Sequence, residues 1–151
     1  MVIEIADYGS QLWRQAAALR VAVFVEEQGV SRDLEMDEYD VIATHFVAIE
    51  EGRVLGTLRV VIKEKAAPAK IGRVAVAKDF RGQGIGAAMM SMAISHFLSE
   101  GVKHFVLTAQ LPVIGFYEKL GFVAEGGVFE EAGIPHRTMR LGAQAGNCGV
   151  R

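Results

Sequence analysis

Cysteine is nearly absent from the chain. Cys148 is the single one, so no disulfide can form within the molecule and a cysteine-rich zinc site is excluded. No apolar run approaches the ~18 residues of a transmembrane helix, and the first residues lack the basic start of a signal peptide. The net charge of −2 argues against a general nucleic-acid binder, which usually has a strongly basic face. We therefore expect a cytoplasmic protein without a metal, a membrane or a nucleic-acid partner.

The remaining composition is that of an ordinary globular domain. The 151 residues suit one domain of the common size of about 100–150 residues. Hydrophobic residues make up 51% and charged residues 23%, which excludes intrinsic disorder. We expect a single domain over residues 1–141, followed by a flexible, glycine-rich tail over residues 142–151 that contains Cys148.

Hydrophobic periodicity predicts helices that alternate with strands. A short strand opens the chain at residues 2–6, and Ser10 can cap a helix that continues to about Val25. The acidic stretch at 26–41 has no clean period and is predicted to be a loop, with room for a short helix. The other predicted elements are strands at 44–49, 53–62, 70–76 and 104–108, helices at 85–100 and 112–120, and two closing strands up to about 141. This order predicts one α/β domain with a mixed sheet.

Three alternate glycines, Gly82, Gly84 and Gly86, stand where a predicted strand leads into a helix. Glycine permits positive φ and a close approach to the backbone. The start of a helix offers unpaired N–H groups and the positive end of its dipole. With the charge of Arg81 added, the segment suits a phosphate or a pyrophosphate. A turn that only starts the helix is disfavoured, because each glycine within a helix weakens it by ~1 kcal/mol.

Two nucleotide-binding motifs compete for the same segment. Gly82, Gly84 and Ala87 fit the G-x-G-x-x-A form of a dinucleotide-binding turn, but the acidic residue expected about 20 positions later is missing. A Walker loop is excluded, because no Gly-Lys-Ser/Thr follows. An oxidoreductase that uses NAD or FAD is therefore the weakest of the interpretations considered.

The chain resembles the GNAT superfamily of N-acetyltransferases. The sequence RGQGIG at residues 81–86 matches the Q/R-x-x-G-x-G/A signature, and GFYEKLGF at 115–122 matches a second recurrent segment of that superfamily. Their order and separation make the match specific. VFVEEQ at 23–28 and FEEAGIPH at 129–136 resemble one branch, the ElaA-like (YjcF-like) acyltransferases. The resemblance covers roughly residues 2–141.

The resemblance implies a fold in which two central strands splay apart and an acyl-CoA fills the gap as a surrogate strand. The strand at 70–76 would splay from the one at 104–108. It also implies that Tyr117 acts as a general acid, or hydrogen-bond donor, to the departing CoA thiolate. Many members carry Asn where this chain has Gln110. The implied cofactor-binding residues are Val74, Ala75, Val76, Arg81, Gly82, Gln83, Gly84, Ile85, Gly86, Gln110 and Tyr117.

A general base would help an amine acceptor to attack in its neutral form. Glu27 is favoured slightly because it ends the first helix, and His136 because it lies in a segment typical of the branch; for His136 a structural role is equally compatible. Arg73 can face the cleft or the solvent. We interpret His45, His96 and His104 as structural, and the acidic stretch as a solvated loop rather than an attractor of cationic amines. The full set of base candidates is Glu26, Glu27, Asp37, Asp40, Glu130, Glu131 and His136.

Together these patterns favour an N-acetyltransferase that moves an acetyl group from acetyl-CoA, or another acyl group from its CoA ester, to a small amine or a peptide by direct attack. A covalent route through Cys148 is rejected, because no histidine stands near it in sequence. The alternative is an acyl-CoA-binding sensor without turnover. Release of the CoA thiol in the presence of an amine would distinguish the enzyme from the sensor. Dimers are common in the superfamily, so a homodimer is compatible with the resemblance.

Overall fold

A computed structural model of the chain describes residues 1–142. The sheet contains seven strands, and four α-helices accompany it. A π-helical segment, Val21–Glu27, continues the first helix without a break. Short 3-10 turns precede the second strand, the third helix and the fourth helix. The elements are β1 Val2–Ala6, α1 Gln11–Arg20, α2 Arg32–Glu35, β2 Thr44–Glu50, β3 Arg53–Val61, β4 Ala69–Val76, α3 Ile85–Ser99, β5 His104–Gln110, α4 Ile114–Glu118, β6 Val123–Glu131 and β7 Ile134–Gly142.

The sheet runs in the order β1-β2-β3-β4-β5-β7-β6. Every neighbouring pair is antiparallel except β4 and β5, which are parallel. These two strands pair only at their first residues, where Ala69 lies opposite Phe105 and Lys70 opposite Val106. Beyond that point they separate, so the predicted splayed arrangement of a mixed α/β sheet is confirmed.

Helices cover both faces of the sheet. On one face, Met89, Met90 and Phe97 of α3 join the main core with the inward residues of β5. On the other face, α1 packs on a smaller cluster that includes Val47. Because successive strand residues point to opposite faces, Val47 meets α1 while its neighbour Phe46 lies in the main core. Within residues 1–142, the helices are too short or too polar to cross a bilayer.

The acidic stretch at 26–41 is not the solvated loop that was expected. Arg20 of α1 reaches into it and is itself only 1% exposed. Its guanidinium donates to Glu35 Oε2 at 2.8 Å and to Asp40 Oδ1 at 2.7 Å. Both carboxylates are buried. Burial alone would raise the pKa of Asp40, but the hydrogen bonds from Arg20 and Arg59 outweigh it and lower that pKa. Opposite charge therefore draws these acids inward.

Two further arginines complete the buried charge network. Arg59 of β3 donates to Asp37 at 2.6 and 2.9 Å and to Asp40 at 2.9 Å. Arg73 of β4 lies 3.2 Å from Glu35 and donates to Asp37 at 3.1 Å. Three arginines thus face three carboxylates, and charge balance limits the cost of burying them. Arg73 is half-buried, and this network occupies its guanidinium.

Arg73 also sits at an irregularity of β4. Its φ is +54°, which is uncommon for a residue other than glycine. The pairing of β3 with β4 shifts register here, so that two residues of β4 stand opposite Leu58 of β3. Such a bulge bends the strand and strengthens its local twist. The bulge and the contacts of Arg73 with residues 34–37 act on the half of β4 that has left β5.

Other sequence expectations differ in detail from the structure. The first helix is predicted to run to about Val25; it continues to Glu27 but is π-helical from Val21 onward. The stretch at 26–41 contains a short helix, for which the prediction left room, and in addition a 3-10 turn at Glu38–Val41. The expected tail at 142–151 begins on the last residue of β7, and residues 143–151, with Cys148, lie outside the described residues.

The charge network predicts a large stability effect for one substitution. Arg20→Met would leave Glu35 and Asp40 buried without their main counter-ion, which typically costs about 3–5 kcal/mol. At this chain length, that loss lowers Tm by roughly 6–20 °C, measured by circular dichroism. Arg14→Met, on the exposed side of the same helix, is the matched control. Equal Tm values for the two variants would contradict a structural role for the network.

Candidate active site

The glycine turn lies between β4 and α3, at the end of the sheet where β4 and β5 have separated. Gly82 and Gly84 have φ of +80° and +83°, the left-handed region that glycine tolerates. Gly84 is the N-cap of α3 and supplies no side-chain cap. The first helical hydrogen bond runs from Ala88 N to Gly84 O. The N–H groups of Ile85, Gly86 and Ala87 precede that bond, so they are available to an anion.

The end of β4 presents an open backbone edge to the gap. Ala77 N donates to Leu55 O on the β3 side. Because peptide groups along a strand alternate in direction, the N–H and C=O of Val76 point to the opposite side, where β5 has moved away. The N–H of Val76 therefore lacks a sheet partner beside the glycine turn, while its C=O accepts from Arg81 Nε at 2.9 Å. Ala75 is buried and pairs in register with Thr57 of β3, while Val74 stands at the bulge.

Close packing joins the start of α3 to α4. A Cβ on Gly86 would lie 3.3 Å from Phe116 Cζ and 3.8 Å from a methyl of Val76. This glycine therefore lets β4, α3 and α4 approach one another. The neighbour of Phe116 is Tyr117, which is only 8% exposed. Its ring stacks edge-on against Phe116 and Phe122 at centroid distances of 4.9 and 6.2 Å.

Burial changes the acidity of Tyr117. Desolvation raises the pKa of its hydroxyl to about 12, with no charge or hydrogen bond contributing to the shift. The phenol therefore keeps its proton at every physiological pH and can act there only as a neutral hydrogen-bonding group.

Arg81 and Glu27 form a bidentate ion pair that connects the glycine turn to the end of the π-helical segment. The distances are 3.0 Å to Glu27 Oε2 and 2.6 Å to Oε1. The hydrogen bonds from Arg81 lower the pKa of Glu27 below its ordinary value. Arg81 also donates through Nε to Val76 O at 2.9 Å. Both residues were singled out from the sequence, but their contact was not foreseen.

A second group of candidates lies at the end of β5. Gln110 is the last residue of that strand and pairs in register with His136 of β7. Its side-chain nitrogen donates to Gln28 Oε1 at 2.9 Å. His136 is 7% exposed and stacks on Phe129. Gln28 did not figure among the candidates, although the resemblance of residues 23–28 to one branch singled out its segment.

The hydrogen bonding of His136 fixes its tautomer. Nδ1 lies 2.6 Å from Ile134 O, and a carbonyl only accepts, so Nδ1 carries a proton. In the neutral ring, Nε2 then has a free lone pair. The nearest carboxylate to Nε2 is Glu131 Oε2, at 3.9 Å. Glu131 in turn accepts from the hydroxyl of Thr108 at 3.2 Å, a residue that sequence reasoning had not selected.

The remaining candidates have structural surroundings. His45 is buried and bonds Asp40 O at 2.8 Å, as its structural interpretation requires. Asp37 and Asp40 are bound by arginines and are unsuited to act as bases. Within residues 1–142, no group of three or more His, Cys, Asp or Glu side chains is placed to hold a metal ion.

Comparison with known proteins assigns the chain to a family. The family model of the acetyltransferase (GNAT) domain matches residues 9–143. The chain is 32% identical to the uncharacterized N-acetyltransferase YjcF of Bacillus subtilis over 127 residues, which cover 83% of this chain and 89% of YjcF. It is 32% identical to the protein ElaA of Escherichia coli over 123 residues, or 78% and 79% of the two chains.

Solved structures agree with this assignment. The crystal structure of Escherichia coli ElaA matches with a TM-score of 0.81 and 28% identity, over 93% of this chain and 99% of ElaA. That of an acyl-CoA N-acyltransferase from Pseudomonas aeruginosa matches with a TM-score of 0.81 and 29% identity, over 92% and 97%. The chain therefore belongs to the GNAT acetyltransferase family, in the branch that includes ElaA and YjcF.

Proposed function

We propose that the protein transfers an acetyl group from acetyl-CoA to the nitrogen of an amine acceptor. Membership of the GNAT family supports acyl transfer from a CoA ester. The observation that carries the proposal is the open edge of β4, which leads directly to the uncapped N-terminus of α3. An extended amide-containing arm can pair with that edge, and a pyrophosphate can accept from the N–H groups at its end.

Each part of the cofactor has a fitting group in this arrangement. The backbone amides of residues 82–86, together with Arg81, would bind the pyrophosphate. The outward N–H of Val76 would pair with an amide of the pantetheine arm, beside Val74 and Ala75, and the C=O of Val76 would do so once Arg81 has left it. Gln110 ends β5 beside the gap, and its longer side chain would reach the arm after leaving Gln28.

The proposed reaction is a direct displacement. The amine nitrogen attacks the thioester carbonyl carbon, the carbon–sulfur bond breaks, and the CoA thiolate leaves with the bonding electrons. The nitrogen loses one proton to a base. An N–H in the glycine turn, or that of Val76 in place of its bond to the arm, can donate to the carbonyl oxygen as negative charge develops there.

The acidity of Tyr117 decides its role. Its pKa is about 12 and that of an ordinary thiol is ~8.5, so complete proton transfer to the thiolate would be uphill by ~5 kcal/mol. Tyr117 is therefore better suited to donate a hydrogen bond to the developing thiolate than to act as the general acid that the resemblance implied.

His136 is the stronger of the two favoured base candidates. Its Nε2 retains a lone pair, because Nδ1 is committed to Ile134 O. Before the cofactor binds, the carboxylate of Glu27 is occupied by Arg81, whose hydrogen bonds lower the pKa of Glu27. Once released, it is still a carboxylate, which is a weaker base than an imidazole. The acceptor amine would therefore give up its proton on the side of the sheet that carries His136 and Gln110.

The cofactor site is tested by Gly84→Glu, which places a carboxylate where the phosphate would bind. With ~1 mM acetyl-CoA and a Kd of ~10 μM, the wild type gains about 2.7 kcal/mol, and its Tm rises by roughly 5–11 °C. The variant should show no rise. Gly9→Glu is the matched control, because Gly9 also has positive φ and open space around it, two residues before α1. NAD at the same concentration should leave the Tm of the wild type and of both variants unchanged. A rise with NAD alone would contradict the acyltransferase.

The role of Tyr117 is tested by Tyr117→Phe, with release of CoA thiol measured across a panel of amines. Losing one donor to a developing negative charge costs about 10²-fold in kcat, while the Kd for acetyl-CoA should stay nearly constant. Tyr8→Phe, on the exposed surface, is the control. The pH–rate profile of the wild type should show no ionisation of Tyr117 below pH ~11. An alkaline limb near pH 9 that disappears in Tyr117→Phe would contradict the neutral-donor role.

Tight binding of acetyl-CoA by the wild type, without release of CoA thiol for any amine, would indicate a sensor.

A further inference from the structure

The guanidinium of Arg81 is shared between two groups at the mouth of the gap. Its Nε donates to Val76 O, which belongs to the open edge of β4. Its two terminal nitrogens donate to the two carboxylate oxygens of Glu27. This is the fork geometry in which Arg binds either a carboxylate or a phosphate. A phosphate that engaged Arg81 in the same way would need the N–H groups that Glu27 now occupies.

The segment that carries Glu27 touches both sides of the gap. Glu27 contacts the turn that follows β4, while the next residue, Gln28, accepts from Gln110 at the end of β5. These two residues therefore span the mouth between the diverging strands. The backbone here is stable on its own account, because Gly29 N and Val30 N donate to Val25 O and Phe24 O. Loss of the Glu27 side chain should consequently leave the segment in place.

The Glu27–Arg81 ion pair is exposed enough for another anion to replace Glu27. The side chains of Arg81 and Glu27 are 42% and 34% exposed. A solvent-exposed ion pair of this kind changes an equilibrium constant, such as a Kd, by about 1.5- to fivefold. Glu27 is therefore a weak competitor that a pyrophosphate can displace, but its effect on affinity is large enough to measure.

We propose that Glu27 competes with the pyrophosphate of the cofactor for Arg81 and thereby sets the affinity of the enzyme for CoA. The inference rests on the proposed function, because it takes CoA as the ligand of the glycine turn. Arg81 would pass from the carboxylate to the phosphate when the cofactor binds. Glu27 thus opposes cofactor binding, whereas the resemblance had suggested it only as a base.

The test is the Kd of CoA, measured by titration calorimetry at low ionic strength on four variants and the wild type. Glu27→Gln should bind CoA about 1.5- to fivefold more tightly. Glu26→Gln is the matched control: it is the adjacent exposed glutamate and removes the same charge, so its Kd should stay at the wild-type value. Arg81→Gln should weaken binding by about tenfold or more. In the Arg81→Gln background, adding Glu27→Gln should change nothing.

Two results would overturn the inference alone. The first is an equal change in the Kd of CoA in Glu27→Gln and Glu26→Gln, with CoA binding by the wild type intact. It would show a general effect of charge. The second is weaker binding by Glu27→Gln, which would mean that Glu27 holds Arg81 in its cofactor-binding position. A wild type that does not bind CoA at all would overturn the proposed function, and the inference with it.

Discussion

The separation of β4 from β5 is the constraint on which the site depends. Because β4 and β5 pair at only two positions, the backbone groups on their facing edges have no sheet partners beyond that point. β4 can remain extended there because β3 pairs with its other edge and because Arg73 connects it to residues 34–37. The buried charge network thus stabilises the acidic segment and also restrains the strand that faces the gap. The same side chains therefore contribute to the stability of the fold and hold the strand on which the proposed cofactor site depends.

The groups that we propose to recognise CoA come from three different elements. They are the uncapped N–H groups of α3, the outward N–H of Val76 on β4 and the neutral hydroxyl of Tyr117 on α4. Gly86 allows these elements to pack together, since any larger residue would press against Phe116. Gln110, His136 and Glu131 share the face of the sheet opposite the main core. In the proposed reaction, His136 would take the proton of the amine on this face.

Local patterns predicted much of this architecture. The hairpin of β2 and β3, the helix after the glycine turn and the position of Tyr117 all follow from periodicity or from motifs within a few residues of one another. The charge network does not, because Arg20 and Glu35 are 15 positions apart and Arg73 and Asp37 are 36 apart. An acidic stretch with no partner in its own window was therefore interpreted as solvated. The Glu27–Arg81 pair, 54 positions apart, was missed for the same reason.

A crystal structure of the protein with CoA would show whether the gap between β4 and β5 holds an acyl-CoA. We expect the pyrophosphate at the first turn of α3 and the pantetheine arm hydrogen-bonded to the backbone of Val76, with β4 and β5 still apart. CoA bound elsewhere on the surface, or β4 and β5 paired along their whole length, would contradict this expectation.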